Sequence, residues 1–365
     1  MTNIPKTMNA FVLMRHGDMD ALEYKTDWPT PRPKGREVLI KVAACGLNNT
    51  DVNTRTGWYS KAVQQATSGD AYDVVSDEDP AWGGSPIVMP RIQGADVCGY
   101  VVAVGPDANS ALIGQRVITS NWLRDWNDPS NKDKTGYFGS ECDGGFADYT
   151  VLDERNVHAI KSDMSDAELA TFSCSYSTAE GMLSRANVVK GDRVLITGAS
   201  GGVGSALVQL AKRRDAYVIA MASEAKHGEV GKLNPDAILP RAPKNLSAAL
   251  KAATGSETVD VVADIVGGDY FPTVLDTLRR GGRYTCSGAI AGPIVDLDLR
   301  TLYLRDLTFT GSTVIDTHIM SDLVKYIEKS EVRPMLAAQF PLAELKTAQQ
   351  TFIDKKHTGN IVVTT

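Results

Sequence analysis

The sequence predicts an α/β chain in which a doubly wound parallel sheet is joined to a smaller β-barrel-like domain. Three observations predict it. From about residue 190 onward, short buried-strand patterns alternate with helical ones. Before about residue 155 the chain reads as short strands and turns only. Where the two patterns meet, residues 193–212 read as a strand, a glycine turn and a helix.

That stretch organises the rest. Arg193-Val194-Leu195-Ile196-Thr197 is an apolar run suited to a parallel sheet covered on both faces. Gly198, Gly201, Gly202 and Gly204 follow, and then Ala206, Leu207, Leu210 and Ala211 recur at helical spacing. The turn fits Ala199-x-Gly201-x-x-Gly204, a variant of the dinucleotide fingerprint with alanine first. Glycine is needed because the backbone must approach a pyrophosphate seated on the unpaired N–H groups of a helix start. Gly201, Gly202, Val203 and Gly204 are therefore expected to bind the cofactor.

A length of 365 residues suits two domains. A net charge of −6 argues against nucleic acid or an anionic membrane as partner. No run of ~18 apolar residues reads as a membrane span, and the first ten residues lack a hydrophobic signal core. Five scattered cysteines, none in a C-x-x-C pair, suit a reducing, cytoplasmic setting.

In chain order, 8–13 and 37–45 read as strands. Residues 46–51 break the second strand, and Asn48, Asp51, Arg55 and Tyr59 cluster after it. Asp51 and Arg55 are expected to form a structural ion pair. Residues 60–90 form a long acidic insertion that includes Asp70, Asp73, Asp77, Glu78 and Asp79; it reads as a solvated loop or as a binding loop. Residues 94–105 read as a glycine-punctuated strand pair, 121–140 as a second polar insertion, and 144–151 as a strand. Ser165-Asp166-Ala167-Glu168 opens a helix with a capping box. The alternating half then places strands at 193–197, 217–222, 237–240, 259–264 and 283–287. Helices are expected between them, with one more at 318–330. A closing strand at 359–364 could pair back onto the first domain.

Several separated motifs resemble the medium-chain dehydrogenase/reductase superfamily, in particular its zinc-independent quinone oxidoreductase and enoyl reductase branch. They are Asn48-x-x-Asp51-x-x-x-Arg55-x-Gly57-x-Tyr59, Gly94-Ala95-Asp96-Val97-Cys98-Gly99, Asp143-Gly144-Gly145-Phe146-Ala147-Asp148-Tyr149 and the turn 198–204. The resemblance implies a GroES-like domain at 1–155 plus 318–365, a Rossmann domain at 156–317, and cofactor and substrate held in a cleft between them. It also implies a homodimer through Rossmann edge strands, with 304–310 as the candidate edge. Zinc-dependent members carry Cys where this chain has Asn48 and His where it has Ala95, so only Cys174 keeps a ligand thiol and no metal is expected.

The strand at 217–222 ends in Met221-Ala222-Ser223, without the carboxylate that would hold an NAD ribose. Ser223 and Lys226 suit a 2′-phosphate instead, so NADP(H) is the expected cofactor; Arg241 could add a charge. Val266, Gly288, Ala289 and Thr313 follow successive strands and, with Thr178, are expected near the cofactor.

Without zinc as a Lewis acid, the hydride acceptor must already be electron-poor. That implies a small-molecule substrate, either a quinone or an activated C=C bond in an enone or enoyl thioester. Tyr59 occupies the branch's proton-donor position, and Asn48 could orient substrate or tyrosine. The acidic insertion would disfavour bulky anionic substrates. The alternatives are an alcohol dehydrogenase with an unusual ligand set and a non-catalytic, crystallin-like NADPH binder.

Overall fold

A computed structural model describes residues 4–76, 78, 79, 84 and 86–365; Asp77 of the acidic insertion lies outside the described residues. The chain opens with β1 (Thr7–Leu13), β2 (Leu22–Pro29), β3 (Glu37–Gly46), α1 (Asn49–Thr56), β4 (Asp96–Val104) and β5 (Arg116–Thr119). It continues with β6 (Trp122–Arg124), β7 (Thr135–Tyr137), β8 (Tyr149–Asp153), β9 (Val157–Ala159), α2 (Asp166–Leu169) and α3 (Ser177–Arg185). The alternating half follows as β10 (Arg193–Ile196), α4 (Gly202–Arg213), β11 (Tyr217–Ala222), α5 (His227–Gly231), β12 (Ala237–Pro240) and α6 (Leu246–Thr254). Then come β13 (Val259–Asp264), α7 (Phe271–Asp276), β14 (Leu278–Cys286), α8 (Leu299–Leu304) and β15 (Thr308–Gly311). The chain closes with α9 (Ile319–Glu328), β16 (Leu336–Pro341), α10 (Leu345–Ile353) and β17 (Asn360–Thr364).

The chain divides into two compact units. One comprises the described residues of Met1–Val63, Ser68–Cys174 and Asp316–Thr365; the other comprises Gln64–Thr67 and Ser175–Ile315. The first unit thus runs through Cys174, beyond the expected boundary at 155. Gln64–Thr67 join the second unit, where Thr67 N–H donates to Ile290 O at 3.1 Å.

The first unit is built on a seven-stranded sheet ordered β16-β17-β3-β4-β5-β9, with β8 also on β3. The closing strand β17 pairs antiparallel with β3, Val363 opposite Cys45. Inward-facing Phe11, Ile40, Val42, Ile92, Val97, Phe146, Ile361 and Val363 share one core. Residues 94–105 contain one strand, β4, not a strand pair. Gly99 marks a close approach, not a turn: a Cβ there would lie 2.3 Å from Lys41 O on the neighbouring strand.

The segment after β3 is helical because Asn48 caps it. Asp51, three residues on, accepts the Asn48 N–H at 2.7 Å. Gly57 ends the helix in the left-handed region at φ 75°. The expected Asp51–Arg55 ion pair does not form. Asp51 is consumed by the cap, and the buried Arg55 guanidinium turns to Gly17 O (2.7 Å), Gly69 O (2.9 Å) and Gln349 Oε1 (3.2 Å). It thereby ties the start of the acidic insertion to α10.

The second unit has a six-stranded, all-parallel sheet ordered β12-β11-β10-β13-β14-β15. The expected alternation of strands and helices is present throughout. β10 lies between β11 and β13, so the chain reverses its direction of sheet growth there, which is where open α/β sheets bind ligands. Among the described residues no helix is long and apolar enough to cross a membrane.

Candidate active site

In the second unit the strand–turn–helix signature folds as its composition dictates. Gly198 takes φ +60° against the side chains of Ile265 and Val266. A Cβ on Gly204 would sit 2.1 Å from Gly198 O, so only glycine lets α4 start this close to β10. Gly201 is the N-cap, and Gly202, Val203 and Gly204 form the first turn of α4. Their N–H groups have no acceptor within the helix and point along its positive end. These residues fit a pyrophosphate.

One buried carboxylate fixes the neighbouring loops. Asp264, at the end of β13, accepts from Thr197 Oγ1 (2.6 Å), Tyr284 OH (2.7 Å) and Val266 N–H (2.8 Å). It locks the ends of β10, β13 and β14 together. Ala291 N–H donates to Val266 O at 2.8 Å, and the Gly288 backbone packs on Ile265 O. Val266, Gly288 and Ala289 are therefore brought side by side. Thr313, exposed, follows β15, and Thr178 lies on the first turn of α3, half-buried.

Beyond β11, Ser223 opens a short turn at Glu224–Lys226. β11 and β12 run parallel with Ala222 opposite Pro240, so Lys226 and Arg241 emerge at the same end of adjacent strands. Burial, and then the charge of Arg241, hold the Lys226 ammonium below its ordinary pKa. Glu224 is exposed to solvent.

The first unit gathers a second set of groups. Asn48 Nδ2 donates to Asp96 Oδ2 at 2.9 Å, and Asp96 also accepts a backbone hydrogen bond from Cys174. Asp96 Oδ1 is buried and has no partner among the described residues. Burial pushes the Asp96 carboxyl up to about 8, against the Asn48 hydrogen bond, and pushes Asp51 up to about 7. Tyr59 is half-buried, with its hydroxyl on the Asn53 side chain; burial pushes its phenol well above the usual range. Asn48 thus faces Asp96, not Tyr59. Cys174 sits in a π-turn, Phe172–Tyr176, of the kind common at functional sites.

A catalytic zinc does not fit this set. The amide of Asn48 is committed to Asp96, Asp51 is committed to the Asn48 N–H, and the buried Ala95 offers no donor, so Cys174 and Asp96 fall short of three protein ligands.

Sequence reasoning missed Asp264, and it missed Asn121 and Tyr137 of the first unit, where Asn121 Nδ2 donates to the Tyr137 oxygen at 2.9 Å. Asp264 could have been suspected as the acid ending an apolar strand. Tyr137 and Asn121 come from the second polar insertion, where β6 and β7 pair with Trp122 opposite Tyr137. No periodicity marks them.

The fold and the glycine turn define a dinucleotide-binding α/β protein. Residues 34–162 match the family model described as an alcohol dehydrogenase GroES-like domain, and residues 202–329 match one described as a zinc-binding dehydrogenase. A solved structure of a Sinorhizobium meliloti 1021 protein, assigned as an alcohol dehydrogenase, is 42% identical with a TM-score of 0.90; the match covers 100% of this chain and 98% of that one. Human quinone oxidoreductase is 24% identical over 95% of this chain and 94% of its own. The chloroplastic NADPH-dependent alkenal/one oxidoreductase of Arabidopsis thaliana is 26% identical over 99% and 80%, respectively. The chain belongs to the medium-chain dehydrogenase/reductase superfamily of oxidoreductases.

Proposed function

We propose that the protein is an NADPH-dependent reductase that delivers hydride to a quinone or to an activated C=C bond, without a metal. The observation that carries the reading is the Asn48–Asp96 hydrogen bond, which commits the side chain at one of the three expected ligand positions. Likeness to quinone and alkenal/one oxidoreductases supports the acceptor class.

Gly201, Gly202, Val203 and Gly204 would hold the cofactor pyrophosphate. Ser223 and Lys226 would bind the 2′-phosphate, with Arg241 beside them as a second positive charge. Val266, Gly288, Ala289, Thr178 and Thr313 are the residues proposed to flank the nicotinamide half. Bound NADPH supplies the hydride. Tyr59 remains a neutral phenol across the working pH range and can hand a proton to the carbon or oxygen that gains charge. Asn48 acts at one remove, positioning Asp96.

A homodimer through the outer strand β15 is the proposed assembly. Leu299, Tyr303 and Leu304 of α8, with Ile294 and Val295 before it, leave a large apolar surface exposed beside that edge.

The test is a screen of quinones, enones and enoyl thioesters with NADPH and with NADH, alongside metal analysis of the purified protein. NADPH-selective turnover by metal-free protein is expected. The 42% identity to a protein assigned as an alcohol dehydrogenase favours the second reading. Stoichiometric zinc with alcohol oxidation would establish that reading instead.

A further inference from the structure

The second polar insertion brings a phenol to the side chain of Cys174. Asn121 Nδ2 donates to the Tyr137 oxygen at 2.9 Å, and Tyr137 in turn hydrogen-bonds the Cys174 side chain. The ring of Tyr137 is held edge-on against Trp122, with centroids 5.1 Å apart, and both rings are buried. The β6–β7 pairing and the Phe138 N–H to Asn121 O hydrogen bond (2.9 Å) fix the two ends of this device. We propose that Tyr137 is a second catalytic phenol, donating its hydrogen bond to the carbonyl oxygen of the acceptor. It would do the work that a Lewis acid does elsewhere in the superfamily. The inference rests on the reductase reading above.

The direction of the hydrogen bonds supports this role. Because Asn121 occupies an acceptor position on the Tyr137 oxygen, the hydroxyl proton is aimed away from Asn121. In the resting protein it is spent on sulfur, a weak acceptor. An oxygen that gains negative charge is a far stronger acceptor, so the exchange from Cys174 to substrate is favourable and grows stronger as the reaction proceeds. Burial, followed by the nearby Cys174 and Asp96, holds the Tyr137 phenol neutral, well above its ordinary pKa. Asp96 is itself held largely neutral at pH 7, so it does not set a fixed anion against the developing oxyanion.

Electrons and protons balance without a further reagent. With bound NADPH supplying hydride to the β-carbon, the C=C pair would become the α-carbon–carbonyl π bond and the C=O pair would move to oxygen, and Tyr137 would hydrogen-bond that oxygen without losing its proton. The α-carbon then takes a proton from Tyr59, which is replenished by solvent.

The test uses 4-(dimethylamino)cinnamaldehyde, whose absorption moves to longer wavelength when its carbonyl accepts strong hydrogen bonds. It is added to the full-length protein in the presence of NADP⁺, so that no hydride transfer occurs. The wild type is expected to red-shift the probe, Tyr137→Phe to lose most of that shift, and Asn121→Ala to retain part of it. In parallel, Tyr137→Phe should lower kcat for enones by about ten- to a hundredfold with NADPH affinity unchanged, and should lower the melting temperature by the few degrees that an orphaned Asn121 donor costs. A red shift of wild-type size in Tyr137→Phe, or none in the wild type, overturns the proposal. A wild-type shift that Tyr137→Phe abolishes, in a protein that oxidises NADPH with no acceptor, upholds the carbonyl contact while overturning the reductase reading.

Discussion

The side-chain amide of Asn48 donates to Asp96 Oδ2 across 2.9 Å, and both residues are buried. This pair commits the Asn48 side chain, which stands at one of the three expected ligand positions, to a buried carboxyl. It also sets a pH dependence. Asp96 rises from 3.8 to about 8 on folding. The folded state therefore binds the proton more tightly than the unfolded chain. The stabilisation from this group is fully present below its unfolded value and is lost as pH rises toward 8. Asp96→Asn keeps an acceptor for Asn48 and cannot ionise. It should melt at a higher temperature than the wild type at about pH 9 and show a shallower decline in melting temperature between about pH 5 and pH 8. Thermal melts across that range decide the matter; parallel curves for the two proteins would refute the assignment.

Tyr59→Phe removes the proposed proton donor while leaving the ring packed against Trp58, 5.7 Å away between centroids. General acid catalysis contributes about a hundredfold or more when the donor is well placed. A fall in kcat of about ten- to a hundredfold is expected, with NADPH binding unchanged. Steady-state kinetics with a quinone and an enone would show it, and an unchanged rate would exclude Tyr59 as donor.

Gly204→Ala puts a methyl group where Gly198 O already stands, 2.1 Å from the ideal Cβ position. Either the turn or the helix must move, and with it the N–H groups of Gly202 and Val203. NADPH affinity should drop by at least about tenfold, or about 1.4 kcal/mol. Quenching of protein fluorescence by NADPH measures it directly. Retained affinity would mean that the phosphates bind elsewhere.

The cations at the ends of β11 and β12 give a selective prediction. Lys226→Ala and Arg241→Ala should each raise the KM for NADPH by about tenfold or more while leaving that for NADH within about twofold, because only the former carries the 2′-phosphate. The loss should also shrink as salt is added. Equal losses for both cofactors would argue against a phosphate contact.

Much of this was legible in the chain. The strand and helix spans of the second unit follow from period and glycine punctuation as far as β13, whereas β14 begins at Leu278, ahead of the expected 283, and α8 was not foreseen; the capping box at Ser165 forms as read, with Ser165 N–H on Glu168 Oε2 at 2.8 Å. What escaped was contact between distant residues. Asp51 and Arg55 stand four apart on one helix face and look like an ion pair, but the helix start needed a cap more than Arg55 needed a carboxylate. The Thr197–Asp264–Tyr284 cluster draws on three strands, and sequence spacing carries no trace of it. Tyr137 lies in an insertion of turn residues, where nothing distinguishes a phenol that points inward from one that points to water.

The first unit is assembled from pieces on either side of the second. Its sheet is completed by β17, which lies between β16 and β3 and is made after all of Ser175–Ile315. The order of synthesis therefore differs from the order of assembly. Apart from Gln64–Thr67, the nucleotide-binding unit is contiguous and can close on itself as it leaves the ribosome. Until β17 arrives, one edge of β3 has no backbone partner from that strand, and a nascent chain waiting in that state needs protection from edge-to-edge association.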